Sequence, residues 1–490
     1  MSDQEYYKIV EQAEAPLAKW AKRSFESFSP TFLDGGEYFG HYADQWEDVD
    51  LRPRIANRTP LQIERDRVLY SGGMRKLTEK YHVLYSGDRR ITRNFTTHTM
   101  RMAQVARAIS QGLKLNADFA EAMALGAKVG APPFVHASKF VVAEWMRKRI
   151  TNLDDEEVKA VGRPSGAISQ KKLFGDLGSQ LPPWLAKIES AKIADAVLRF
   201  VPWAVGEDIV APYSSGSQGY WSLAADPYLV KSRPKRFSPE TMFGIWMHSL
   251  GLHFGPQSFT HQFQIEGATS GQHEIRWNHV TYEALVVRYA DDITWVIENL
   301  DDAHRAAALA GGTDIYLEIL SDLREGGKVP AALNDAMLES DSGSLYNYFI
   351  TDFIKTSKQV LERLAENADY RLALREGSPE AVISLSPEVE AQLDRMKSFL
   401  NRRVFSEPRV HNRFQILQTL AEACLDLLYK SDALPNYVKT QAAVLNIKGE
   451  KLHRAESLLT EPIHRVQLVV DIFSQMSDQE IYDFVGIQGL

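Results

Sequence analysis

The sequence predicts an all-α protein, and three observations carry that prediction. First, apolar residues between 97 and 115 recur at spacings of three and four (Met102, Val105, Ala106, Ile109, Leu113), which places them on one buried stripe of a helix. Second, the same period runs through four further stretches, 282–299, 345–367, 387–400 and 413–428. Third, alternating strand-like patterns are few and short, and the chain holds no internal repeat or low-complexity tract.

In chain order, residues 1–55 read as an N-terminal extension, aromatic enough (Trp20, Phe25, Phe28, Phe32, Trp46) to pack on the body. Asn116 follows the first periodic stretch and reads as the cap of a helix over 117–128, with Phe119, Met123 and Ala124 on one face. Glycine and proline then punctuate the middle. Residues 162–166 and 214–219 read as loops, and 231–236 (KSRPKR) as a basic, proline-broken surface loop. The division expected is an extension over 1–55, a core over 56–310 and a helical C-terminal region over 311–490.

Composition excludes several classes. The net charge is -8, from 56 basic and 64 acidic residues, which argues against coating of nucleic acid by the whole surface. The single cysteine, Cys424, lies in the apolar run TLAEACLDLLY and reads as a buried small hydrophobe. It can form neither an internal disulfide nor a cysteine-rich metal site. The opening residues MSDQEYYKIVEQAEAP contain no apolar signal segment, and no stretch approaches the roughly 18 apolar residues of a membrane span. The chain therefore reads as cytoplasmic, with no membrane partner.

Several separated blocks occur in one order. They are QIERDRVLYSGGMRKLTEKYHV (62–83), RNFTTHTMRMAQVARAI (93–109), ALGAKVGAPPFVHASK (124–139), PYSSGSQGYWSLAADPYLVKS (212–232), FSPETMFGIWMHS (237–249), YEALVVRYADDITWVIENLDDAHRAA (282–307) and SLSPEVEAQLDRMKSFLNRRVFSEPRV (384–410). Over about 62–430 the chain resembles the HD-domain dNTP triphosphohydrolase (dGTPase) family. The resemblance implies an HD-type helical core over 56–310 with an additional helical C-terminal lobe. Proteins of that family hold a divalent metal with two histidines and two carboxylates spread over several helices. Imidazole and carboxylate suit such an ion, which polarises a phosphoryl oxygen and positions a water.

The third block departs from the family pattern, which reads HDxGHPPFGHxxE. Gly130, Pro132, Pro133, Phe134 and His136 keep its frame. The His-Asp pair is replaced by Ala127 and Lys128, the next histidine by Ala131 and the glutamate by Lys139. In the fourth block Gln218 matches, while Ser215 and Trp221 stand where a histidine and an arginine are usual. The resemblance implies that His98 is the remaining metal histidine, that His136 is the retained catalytic histidine, and that Asp292, with Asp291 beside it, is the final metal aspartate. Taken singly, His98 or His136 would read as a structural histidine; the blocks around them reverse that.

Neither Ala127 nor a protonated Lys128 can donate a lone pair to a metal. His98 and Asp292 alone are too few ligands for a tight site. With Lys128 cationic and Asp292 anionic, the matching positions sum to zero charge without any ion, so Lys128 is expected to act as a tethered cation within ion-pair reach of Asp291 or Asp292. No metal or other cofactor is expected.

The leading expectation is a nucleotide-binding regulatory or scaffold pseudoenzyme, with Arg75, Lys128, Lys139, Gln218 and His248 as the nucleotide-binding candidates. The family assembles as oligomers, often hexamers, so the resemblance implies a homo-oligomer. The alternative is an active enzyme that splits dNTP into deoxynucleoside and triphosphate, using Mn or Mg held by recruited groups such as Asp291, His82 or His248. A third class, nucleic-acid binding, rests only on KSRPKR and on Arg402 and Arg403.

Overall fold

A computed structural model describes residues 60–70, 72–81, 93–129, 131–135, 281–366, 383–430 and 476–487, together with short helical pieces between 137 and 149 and between 434 and 473. The N-terminal extension and the loops at 162–166, 214–219 and 231–236 lie outside the described residues. What is described is helical. Among the described residues the one extended pairing is an isolated antiparallel bridge between Tyr81 and Asn94.

The chain enters through α1 (Pro60–Leu69) and the short α2 (Gly72–Lys76), which tightens into a 3₁₀ turn at Leu77–Glu79. Next come α3 (Phe95–Gly112) and α4 (Ala117–Gly126). The long α5 (Tyr282–Leu309) is followed by α6 (Ile315–Gly326), α7 (Ala331–Leu338) and α8 (Ser342–Glu366). α9 (Pro387–Phe399) runs into a π-helical turn at Leu400–Phe405, and α10 (Pro408–Lys430) and α11 (Asp478–Ile487) complete the order. α3 packs on α4, and α5 lies against both; α1 covers α4, while α6, α8 and α9 pack on the other sides of α5. Most of α5 is therefore interior, with Val286, Ala290, Ile293, Val296 and Leu300 fully buried.

Side-chain caps explain most of the starts. The Asn94 side chain accepts from Thr97 N–H at 2.9 Å, Asn116 from Phe119 N–H at 3.0 Å, and Thr281 from Ala284 N–H at 3.2 Å. The cap expected at Asn116 is thus observed. α9 starts at a proline, whose missing N–H costs nothing there. Its preceding Ser386 is gripped by Asp352 through both its N–H (2.8 Å) and its hydroxyl (2.9 Å).

Two ends differ from the periodic reading. α3 stops at Gly112 rather than at 115, because Lys114 turns left-handed (φ 58°) and Leu115 N–H reaches back to Ser110 O at 2.8 Å. This is a Schellman closure with lysine in the place glycine usually takes. α5 runs ten residues beyond 299, closing through Gly311 (φ 69°) and a bond from Gly312 N–H to Ala307 O at 2.8 Å. Cys424 is buried, as expected, and burial pushes its thiol up to about 12. Arg402 and Arg403 pair with Asp322 (3.0 Å) and Glu318 (2.7 Å) on α6.

Lys114 gives a direct test. A left-handed residue with a Cβ costs about 1–2 kcal/mol, and glycine returns part of that gain through unfolded-chain entropy. Lys114→Gly is expected to stabilise the protein by about 0.5–1 kcal/mol, read as a higher urea midpoint at constant slope.

Candidate functional site

The site is built on one face of α5. Asp291, Glu298 and Asp302 are seven and then four residues apart, so they stack along a single stripe of the helix. Glu298 and Asp302 are buried, and ionised carboxylates survive burial only when paired. The partners come from α3, from the residue before its cap, and from the turn after α4.

His98 sits in the first turn of α3 and is 1% exposed. Its Nδ1 meets Glu298 at 2.7 Å and its Nε2 meets Asp291 at 3.3 Å. Burial by itself would lower the imidazole pKa. The two carboxylates outweigh burial, although Lys128 opposes them, and the net displacement is upward. Both ring nitrogens can donate only in the imidazolium form, so the geometry and the displacement agree. Glu298 responds in the opposite sense: burial pushes it up, His98 and Arg93 pull harder, and it ends below the usual carboxylate range.

Lys128 lies in the turn that ends α4. Its ammonium is 2.7 Å from the second oxygen of Asp291, with the two side chains 13% and 17% exposed. Asp291 is therefore shared between an imidazolium and an ammonium. Asp292 faces elsewhere, toward Lys397 on α9 (2.9 Å) and Arg288 (3.7 Å). Of the two aspartates within the expected reach of Lys128, it is Asp291 on which His98 and Lys128 converge.

Arg93 anchors the far end of the stripe. It bonds Glu298, Asp302 at 3.0 Å and Asp301 at 3.2 Å, and is 9% exposed. Burial lowers its pKa, but Glu298 and Asp302 more than offset this and raise it. Arg101, whose side chain is 45% exposed, reaches Glu298 at 3.5 Å. Four cations (His98, Lys128, Arg93, Arg101) thus meet four carboxylates (Asp291, Glu298, Asp301, Asp302). With Arg305 as a fifth cation, 3.1 Å from Asp301, every carboxylate of the set is met by the chain's own side chains.

Arg93, Arg101 and Glu298 were not among the residues singled out from the sequence. A signal existed: acidic residues at helical spacing inside an apolar helix require cations, and Arg93 adjoins a helix cap. Arg75 is exposed on α2. Ala127, the residue before Lys128, is buried. His136, Lys139, Gln218 and His248 lie outside the described residues, as do Gly130, His82, Ser215 and Trp221.

The donor set was tested against the divalent metal that the resemblance implies. Among the described residues, no three His, Cys, Asp or Glu side chains are arranged to hold a metal ion. The ammonium of Lys128 occupies one oxygen of Asp291, and the Nε2 of His98 faces the other as a donor. These residues do not fit a metal in this arrangement.

Comparison with known proteins adds a relationship. The chain is 41% identical over 97 residues to the deoxyguanosinetriphosphate triphosphohydrolase-like protein of Desulfatibacillum aliphaticivorans, covering 19% of this chain and 27% of that one. It is 33% identical over 121 residues to the protein of that name from Ralstonia pickettii (strain 12J), covering 24% and 31%. With the protein of the same name from Rhodopseudomonas palustris (strain BisB18), identity is 25% over 369 residues, 72% of this chain and 74% of the relative. The first two matches span less than a third of those relatives. No family model matches the chain. The protein is a homologue of the deoxyguanosinetriphosphate triphosphohydrolase-like proteins.

Two measurements probe the stripe. In a double-mutant cycle of Lys128→Ala and Asp291→Asn, the two changes are expected to couple by on the order of 1–3 kcal/mol in unfolding free energy. Additivity would show that the 2.7 Å pair carries no net interaction. The second concerns Asp302, which burial pushes up to about 6, against the downward pull of Arg93. Its Oδ1 accepts from Arg93 while its Oδ2 has no partner. Between about pH 4 and 6 the folded chain holds a proton on Asp302 that the unfolded chain has released, so this group costs stability as pH rises through that window. Asp302→Asn removes the cost. The stability of the variant relative to the parent is expected to grow from pH 4 to pH 6, by roughly 1 kcal/mol per unit at most, and to level off above it.

Proposed function

We propose that this homologue of the deoxyguanosinetriphosphate triphosphohydrolase-like proteins binds the phosphates of a nucleotide without a resident metal, and serves as a regulatory or scaffold protein rather than as a hydrolase. The observation that carries the reading is the Lys128–Asp291 pair at 2.7 Å, with His98 on the other oxygen of the same carboxylate. An ammonium has three donors and Asp291 takes one. Asp291 therefore orients Lys128 and balances its charge while leaving donors for an anion. Arg101, largely exposed and held by one 3.5 Å contact, is a second cation on the same network. Guanidinium and ammonium groups bind phosphate oxygens by charge-assisted hydrogen bonds without any ion.

The same arrangement is poor for hydrolysis. An ammonium neutralises phosphate charge, but it neither polarises a phosphoryl oxygen as a Lewis acid does nor lowers the pKa of a bound water. Substrate identity comes from the relatives' name alone, which points to a purine deoxynucleoside triphosphate. Assembly into a homo-oligomer is part of the same proposal, carried by family resemblance.

The test is calorimetric titration with each dNTP and with tripolyphosphate in EDTA, beside an assay for triphosphate release with added Mn. Binding in EDTA is expected, weakened about tenfold or more by Lys128→Ala, which corresponds to about 1.4 kcal/mol, with no triphosphate released. A companion variant carrying Ala127→His and Lys128→Asp restores an adjacent ligand pair beside His98 and Asp291, and should bind Mn. Metal-dependent hydrolysis by the parent protein would overturn the proposal in favour of an active enzyme with recruited ligands. A folded companion variant that binds no Mn would show that 127 and 128 are not the metal-pair positions.

A further inference from the structure

The turn that follows Lys128 is held from the far end of the chain. Phe134 and Val135 both have left-handed backbone, with φ 55° and 34°. A residue with a Cβ avoids that region, and a β-branched one avoids it most. Local bonds are few. Val135 N–H reaches Pro132 O at 3.1 Å and Ala137 N–H reaches Phe134 O at 3.0 Å, while Pro132 and Pro133 have no N–H to give.

The rest of the hold comes from α11 and from the residues around Lys80. Asp478, the first residue of α11, is 3% exposed. One of its oxygens accepts from Phe134 N–H at 2.7 Å and the other from Tyr81 N–H at 2.9 Å. The Lys80 ammonium is fully buried and donates to Ala131 O. The Phe134 ring meets Tyr482 of α11 edge-on at 5.4 Å between centroids. α11 is itself firmly begun: Glu480 accepts from Ser477 N–H at 2.6 Å, Ser477 Oγ accepts from Glu480 N–H at 3.1 Å, and Glu480 also pairs with Lys76 at 3.5 Å. Burial drives Lys80 down to about 7, against the pull of Asp478, and drives Asp478 up to about 6, against its two N–H donors and Lys80.

We infer that Asp478 is a positioning residue and α11 a latch on the candidate site: docked, α11 holds residues 131–135 in left-handed geometry and fixes the main chain leading away from Lys128; released, that turn relaxes and the site loses its shape. The turn belongs to α11 as much as to α4, so any partner or modification that displaces α11 would act on the site. The effect on phosphate binding rests on the anion-site reading above; the effect on the turn does not.

The experiment uses the full chain with Asp478→Asn, whose amide nitrogen would face one of the two backbone N–H groups. Amide hydrogen exchange is followed at Tyr81, Phe134, Val135 and Ala137 and, for comparison, along α3 and α5. Tripolyphosphate affinity is measured on the same samples. Exchange at those four amides is expected to quicken by about tenfold or more while α3 and α5 keep their protection, and affinity is expected to fall several-fold. Tyr482→Ala, which loses only the ring contact, should move the same amides in the same direction by less, and it carries the test if the Asn variant does not fold. Equal loss of protection in α3 and α5 would make Asp478 a general stability residue and overturn the inference. Unchanged exchange at Phe134 in both variants would overturn it too. If the parent protein binds no tripolyphosphate, the anion reading falls, and the exchange data still decide the latch.

Discussion

Ionised carboxylates on an interior helix must be met by donors, and on α5 that requirement organises the core. Glu283 takes the N–H of Asn116 at 3.0 Å, Asp291 takes Lys128 and His98, Glu298 takes His98 and Arg93, Asp302 takes Arg93, and Asp292 takes Lys397. The donors come from four segments, with Arg93 and His98 both at the start of α3. Meeting the charges of one helix therefore fixes where the start of α3, the cap of α4, the turn after α4 and the end of α9 must lie. Removing one partner leaves a buried charge, which costs far more than the pair contributes when intact. The geometry is thus strongly determined without the ion pairs being large net stabilisers.

A cluster of carboxylates that lacks cations repels itself. At Lys128 an ammonium on a four-carbon stem brings compensating charge covalently, 2.7 Å from Asp291. An ammonium is a compact charge on a flexible stem, so it orients an anion less firmly than a guanidinium fork does.

The turn beyond Lys128 extends the same logic to the backbone. Two consecutive left-handed non-glycine residues are costly, and such strain persists only where surrounding structure over-determines it. Here the determination comes from Asp478, some 340 residues away in sequence.

Several features were legible in the sequence. Helical period gives the buried stripe of α3, because residues three and four apart share a face whatever surrounds them. The asparagine cap of α4 and the proline start of α9 follow from local chemistry that needs no partner. The charge argument at Lys128 was also available, since an unpaired cation beside an apolar helix requires an acid. The choice between Asp291 and Asp292 was not available. Adjacent residues on a helix point about 100° apart, and a linear pattern with two aspartates cannot say which direction is occupied. Packing decides: Lys128 and His98 approach the side of α5 that Asp291 shares with Glu298, and Lys397 approaches the side of Asp292. The reach of Arg93 to three acids and the grip of Asp478 on the turn are likewise tertiary. Each joins groups that local sequence leaves independent, and only the folded chain brings them within hydrogen-bond distance.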